Sequence, residues 1–99
     1  MIEVNKQSLA EEDLIRIWLY TFEKWGTKQA DIYIDQLNDG MSLLSENPRV
    51  GNSCDYIRKG YRRFQIKNHI VYYLLKPDRI DIIRVLHESM EPIRYFEDE

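Results

Sequence analysis

Apolar residues in this chain change their spacing once, from a helical period in the first half to strict alternation in the second. Ile2 and Val4 alternate with Glu3 and Asn5, which predicts a short strand over residues 1–6. Ser8 follows, and Glu11 is spaced to reach back to its backbone amide, a capping box that predicts a helix start. Glu12 and Asp13 add negative charge near the positive end of that helix dipole. Leu14, Trp18, Thr21 and Trp25 share one stripe, with Ile15, Leu19 and Phe22 beside it, so the apolar face is broader than one contact surface needs. Gly26 predicts a C-terminal cap and Thr27 the cap of the next helix. Ala30, Tyr33, Ile34, Leu37, Met41 and Leu44 keep helical spacing up to Glu46, and Asn47-Pro48 stops it. Gly40 interrupts this helix at about 1 kcal/mol relative to Ala, and a close approach by another backbone would account for it. The short link forces the two helices into an antiparallel hairpin.

Residues 47–53 form a loop by composition, and after it the period becomes two. A strand is expected to start within residues 56–59 and to continue with Arg62, Phe64 and Ile66 alternating against Tyr61, Arg63 and Gln65. Lys67-Asn68 is a turn, residues 69–75 are a β-prone apolar run, Pro77-Asp78-Arg79 is a second turn, and residues 80–86 are the last strand. Three strands joined by tight turns make an antiparallel meander. The fold class is therefore α+β, ordered β-α-α-β-β-β, with the helical hairpin packed on a small antiparallel sheet that the N-terminal strand joins. Residues 1–99 form a single domain, and the acidic tail, about 91–99, is expected to be partly disordered beyond Phe96.

Charge is distributed unevenly. Residues 58–84 hold eight cations against Asp78 and Asp81, a balance of +6 in a chain whose net charge is −3. Such a surplus points to a face for something anionic. Alternation tempers this, because Arg62 and Arg63 must project to opposite sheet faces. One of Arg58, Arg62 and Arg63 could equally be an internal arginine bonded to backbone carbonyls. Seven tyrosines are many for this length; they either fill a small core or supply partner contacts. The single Cys54 excludes an internal disulfide and reads as a buried structural thiol. No signal peptide and no apolar run of membrane-spanning length is present, so the expectation is a soluble cytoplasmic protein.

Catalytic chemistry is thinly represented. A metal-independent ribonuclease needs a base, an acid and cations for the developing phosphate charge. His87 or His69 could exchange a proton near neutrality, and Arg62 and Arg84 could supply charge. Two histidines do not make a constellation, and a strand-end His more often satisfies backbone or faces solvent. No spacing matches a metal site, Asp35 and Asp39 read as a solvated helix face, and no cofactor is implied.

An ordered set of segments carries a resemblance. Leu43-Leu44-Ser45-Glu46-Asn47-Pro48 precedes Gly51-Asn52-Ser53-Cys54-Asp55, Ile57-Arg58, Gly60-Tyr61-Arg62-Arg63-Phe64 and His69-Ile70-Val71-Tyr72-Tyr73. Ile83-Arg84-Val85-Leu86-His87-Glu88-Ser89-Met90 ends the series, and Lys24-Trp25-Gly26 also fits. Together they resemble ParE toxins of the RelE/ParE toxin–antitoxin superfamily. The resemblance implies a cytoplasmic toxin, not itself an enzyme, that binds in a hetero-oligomer to a ParD-like antitoxin. It implies DNA gyrase as target, with the gyrase–DNA cleavage complex stabilised and growth arrested. The residues then expected to meet the target are Arg58, Arg62, Arg63, Arg84, His87 and Met90; those expected to meet the antitoxin are Trp18, Tyr20, Phe22 and Tyr61. The alternative is a RelE-like ribosome-dependent mRNA endonuclease using Arg62, Arg84 and His87. The Leu-His-x-x-Met ending and the Tyr-Arg-x-Phe strand resemble the ParE branch, whereas Tyr95 lies in an acidic tail rather than on a basic C-terminal helix. Lys67-Asn68 departs from a common Gly-Ser turn, and Glu91 from a common Asp.

Overall fold

The computed structural model describes residues 2–96. Strand β1 (Glu3–Lys6) leads into helices α1 (Ser8–Trp25) and α2 (Thr27–Glu46). Strands β2 (Asn52–Ser53), β3 (Tyr61–Ile66), β4 (His69–Leu75) and β5 (Arg79–His87) follow, and a 3₁₀ turn, Pro92–Tyr95, comes last. All five strands form one sheet in the order β1-β5-β4-β3-β2. Strands β3, β4 and β5 make the antiparallel meander that alternation predicts. Strand β1 runs parallel to β5, so the sheet is mixed rather than purely antiparallel. A parallel neighbour requires a long crossover, here the helical hairpin and the strands after it.

Several local expectations change. Ser8 and Thr27 are first helical residues rather than caps; Gln7 and Gly26 hold the cap positions without side-chain cap bonds. The Gln7 amide donates to the Ile82 carbonyl at 2.9 Å, so sheet pairing sets where α1 begins. Gly26, at φ 91°, ends α1 and opens α2 in a conformation L side chains rarely adopt. Residues 56–59 are turns, not a strand start. Ile57 N–H donates to the Cys54 carbonyl, Tyr61 N–H to the Arg58 carbonyl and Gly60 N–H to the Asp55 carboxylate, so local bonds replace a ladder there. The edge pairing falls on Asn52–Ser53 instead. The Lys67-Asn68 turn forms as expected, with Lys67 at φ 54°. Gly40 is approached not by backbone but by the Ile66 side chain: a Cβ there would lie 2.5 Å from Ile66 Cδ1. The disorder expected beyond Phe96 lies outside the described residues.

Both faces of the sheet are covered. Ile17, Leu37, Met41 and Leu44 of the helices pack on Val71, Tyr73, Ile80 and Ile82. On the far face Cys54, Ile70, Tyr72 and Leu86 pack under Phe96. Burial on both sides is why β4 reads as a continuous apolar run. A bulge at Ile83 lets Ile82 and Val85 both face the helices while Ile83 and Leu86 face away. The buried face of α1 carries Ala10, Asp13 and Ile17, and Trp25, expected on the apolar stripe, is 70 % exposed.

Candidate functional site

The cations of β3 to β5 fold into separate structural roles. Arg62 lies opposite Tyr73, and its guanidinium donates to the Arg49 and Gly51 carbonyls at 2.9 and 2.7 Å, the internal arginine considered from sequence. Arg63 lies opposite Tyr72 and reaches the Tyr56 hydroxyl at 3.3 Å. Half-buried Arg58 donates to the Phe96 carbonyl at 3.0 Å. Arg79 pairs with Asp81 at 2.9 Å.

Arg84 is buried. Its Nε and Nη2 donate to the two oxygens of Asp13, each at 2.8 Å, and the same carboxylate accepts from Val85 N–H at 2.9 Å. Strand β1 pairs with residues 79–82 only, so β5 runs past its neighbour, and the Asp13 carboxylate satisfies the amide left over. Arg84 also donates to the Tyr95 carbonyl at 3.3 Å and lies over the Tyr95 ring. One guanidinium thus joins α1, β5 and the C-terminal turn. It does not belong to an open cationic surface with Arg63.

The two histidines are opposite one another on β4 and β5, with ring centroids 5.2 Å apart and planes at 88°. The Tyr33 hydroxyl meets His69 Nδ1 at 2.7 Å and accepts from Asn68 N–H at 3.3 Å. Burial, with a contribution from His87, pushes the His69 pKa down to about 4, against the pull of Glu88 and Asp13. His69 is therefore neutral at pH 7 and lacks the imidazolium proton that a general acid would give. Exposed His87 accepts from Ser89 N–H at Nδ1, at 3.1 Å, with Ser89 Oγ at 2.7 Å. A backbone amide can only donate, so the His87 proton sits on Nε2 and its lone pair faces the chain, not solvent. Both Nδ1 atoms are committed to intramolecular partners. His87 therefore turns an N–H donor, not a lone pair, toward solvent.

The histidines floor a groove of about 540 Å³ walled by Tyr20, Trp25, Tyr33 and Asn68. It continues past His87 into a second hollow of about 390 Å³ lined by Arg16, Ile17, Ser89 and Met90. Beside it, α1 shows a second apolar side. Ile15, Leu19 and Phe22 follow one another at helical spacing and are 60, 47 and 42 % exposed. Trp18 stacks on Phe22 with centroids 5.2 Å apart, and its indole N–H donates to Asp31 of α2 at 2.9 Å. Of the residues expected to meet an antitoxin, Trp18 and Phe22 lie on this side of α1, whereas Tyr20, two residues from each, turns to the other side of the helix and lines the histidine groove. Tyr61 lies on the far sheet face, its ring edge against Phe96. Met90 borders the hollow, 39 % exposed.

Sequence reasoning missed Asp13, Tyr33 and Phe96. Asp13 had a signal: an acid at the same helical spacing as Ala10 and Ile17, inside an apolar stripe. Phe96 had none, because its burial depends on where the tail folds back. Among the described residues, no cluster of three or more His, Cys, Asp or Glu could hold a metal ion, and no helix is long and apolar enough to cross a membrane.

Comparison with known proteins places this geometry in context. A family model described as the ParE toxin of type II toxin–antitoxin system, parDE, matches residues 5–92. Toxin ParE1 of Caulobacter vibrioides is 40 % identical over 81 residues, covering 82 % of this chain and 83 % of that protein. Toxin ParE1 of Mycobacterium tuberculosis strain H37Rv is 37 % identical over 83 residues, covering 83 % of this chain and 85 % of that protein. A solved structure titled as a chromosomal ParDE TA system from P. aeruginosa superposes with a TM-score of 0.78 at 17 % identity, over 88 % of this chain and 96 % of that one. At that identity the likeness speaks for the fold alone.

Proposed function

The chain belongs to the ParE toxin family of type II toxin–antitoxin systems, and from that premise we propose that it arrests growth by stabilising the cleavage complex of DNA gyrase with DNA. In this reading it makes and breaks no bond itself, acts in the cytoplasm, and is held inactive by a ParD-like antitoxin. The observation that favours it over a ribonuclease is the commitment of the would-be catalytic groups. Arg84 is locked to Asp13, Arg62 to loop carbonyls, and the Nδ1 of each imidazole to a neighbour. A nuclease needs these groups turned toward a phosphate.

The antitoxin surface is the outer side of α1. An amphipathic antitoxin helix laid along Ile15, Leu19 and Phe22 would cover apolar area that a monomer otherwise leaves in water. Trp18, pinned by Asp31, supplies a rigid aromatic anchor beside it. Target contact falls to exposed His87 and Met90 and half-buried Arg63 first, with Arg58 at the rim.

The test incubates the purified protein with gyrase, ATP and supercoiled plasmid, and in parallel with translating ribosomes. Linear DNA released by detergent and protease supports the reading. Codon-positioned mRNA cuts without linear DNA would sink it, and absence of both activities and of growth arrest would mark an inactive antitoxin-binding paralogue.

A further inference from the structure

The far face of the sheet is closed by the chain's own C-terminal turn, and the contacts there are of a particular kind. Residues 91–96 touch it through the buried Phe96 ring, the Tyr95 ring beneath Arg84, and two carbonyls. Phe96 is 3 % exposed and meets Tyr61 and Tyr72 edge-on, at centroid distances of 5.6 and 5.4 Å. The Phe96 carbonyl accepts from Arg58 at 3.0 Å and the Tyr95 carbonyl from Arg84 at 3.3 Å. The remaining side chains are more open: Ile93 is 45 % exposed and Tyr95 37 %. Its internal bonds, Arg94 N–H to the Glu91 carbonyl at 3.3 Å and Phe96 N–H to the Ile93 carbonyl at 3.2 Å, are long and local. A hollow of about 300 Å³ remains between Ile93, Phe96 and residues 56–58. Under Phe96 lies Cys54, fully buried.

From this we infer that the far sheet face is a recognition slot for a short peptide turn bearing an aromatic side chain, filled here in cis by residues 91–96, which lift off as a unit. Everything the slot reads is generic to such a peptide: a ring between Tyr61 and Tyr72, and two successive backbone carbonyls on Arg58 and Arg84. Arginine suits the second task because its planar fork stays charged and directs several N–H groups at once. The segment has few apolar anchors and a single 3₁₀ turn, the marks of a part that opens below the global unfolding free energy. A partner segment that presents an aromatic side chain and two successive carbonyls would displace it by offering the same contacts. This inference does not depend on the gyrase reading: it needs no DNA, and of the groups placed at the target contact it uses only Arg58.

Cys54 reports the opening. Its thiol can exchange with an aromatic disulfide reagent only when Phe96 is out of the slot. For the full-length wild type, the labelling rate should depend only weakly on urea at low concentration, since lifting one turn exposes little surface. Phe96→Ala should label at least about tenfold faster with unchanged circular dichroism. A blocked peptide with the sequence of residues 91–96 should slow the variant again, and the same peptide with Ala for Phe should not. Labelling that tracks the global unfolding slope down to zero urea, or Phe96→Ala labelling at the wild-type rate, would overturn the inference. Should Phe96→Ala fail to fold, the wild-type urea series decides alone.

Discussion

Replacing Asp13 removes three hydrogen bonds from one buried carboxylate. Two go to Arg84 at 2.8 Å and one to Val85 N–H at 2.9 Å. Asp13 is 5 % exposed and Arg84 9 %, so water does not take over. Bonds to charged groups contribute about 1.5–3 kcal/mol each, and an orphaned buried amide costs about 1–3 kcal/mol. Because all three share one carboxylate these do not simply add, and loss of one partner of a buried pair typically costs about 3–5 kcal/mol. A domain of this size has about 5–15 kcal/mol in all, so Asp13→Ala should be marginal at best. Asp13→Asn keeps an acceptor for Val85 N–H and should lose about 2–3 kcal/mol. Pairing Asp13→Leu with Arg84→Met removes both charges together and should recover much of the loss. Urea unfolding of these variants forms a double-mutant cycle. A loss below about 1 kcal/mol for Asp13→Asn, at an unchanged urea slope, would refute the view that this pair holds α1 on the end of β5.

Other outcomes follow from single contacts. His69 has a folded pKa of about 4, below the ordinary 6.5, so the unfolded chain binds its proton first. Stability should therefore fall as pH drops from about 6.5 toward 4, by up to about 3 kcal/mol; His69→Phe should flatten that slope in urea melts, and an unflattened slope would assign it elsewhere. Tyr73→Phe removes the hydroxyl that donates to the Pro48 carbonyl at 2.8 Å and accepts from Gly51 N–H at 3.0 Å. Thermal unfolding should show a loss of about 1–3 kcal/mol. Gly40→Ala gains about 1 kcal/mol of helix propensity but sets its Cβ 2.8 Å from Ile66 Cγ1. The net should be destabilising by about 1 kcal/mol, and adding Ile66→Val, which removes the Cδ1 at 2.5 Å, should restore part of it; a more stable Gly40→Ala would mean that Ile66 simply moves aside.

Local pattern determined the elements of this chain. A period of 3.6 gave both helices, and a period of two gave the meander, because each reports which side of an element is buried. The Gly26 boundary between the helices was legible for the same reason: few residues but Gly tolerate a φ of 91°. Tertiary structure decided the rest. Residues 56–59 have strand-like composition but satisfy their amides locally, so pairing moved to Asn52–Ser53. The side of α1 that turns inward depends on the position of β5, and this put Ile17 inside and left Trp25 in water. Most of all, the cationic run of residues 58–84 showed a surplus of charge, and alternation split it between two faces without saying what each cation meets. Its charge is fixed by composition, but its partners are distant in sequence: Asp13 for Arg84, Arg49 and Gly51 for Arg62, Phe96 for Arg58. A sequence pattern records which side chains are charged. Only the folded chain brings the carbonyls and carboxylates that claim them, because those contacts are made by residues that no local period relates.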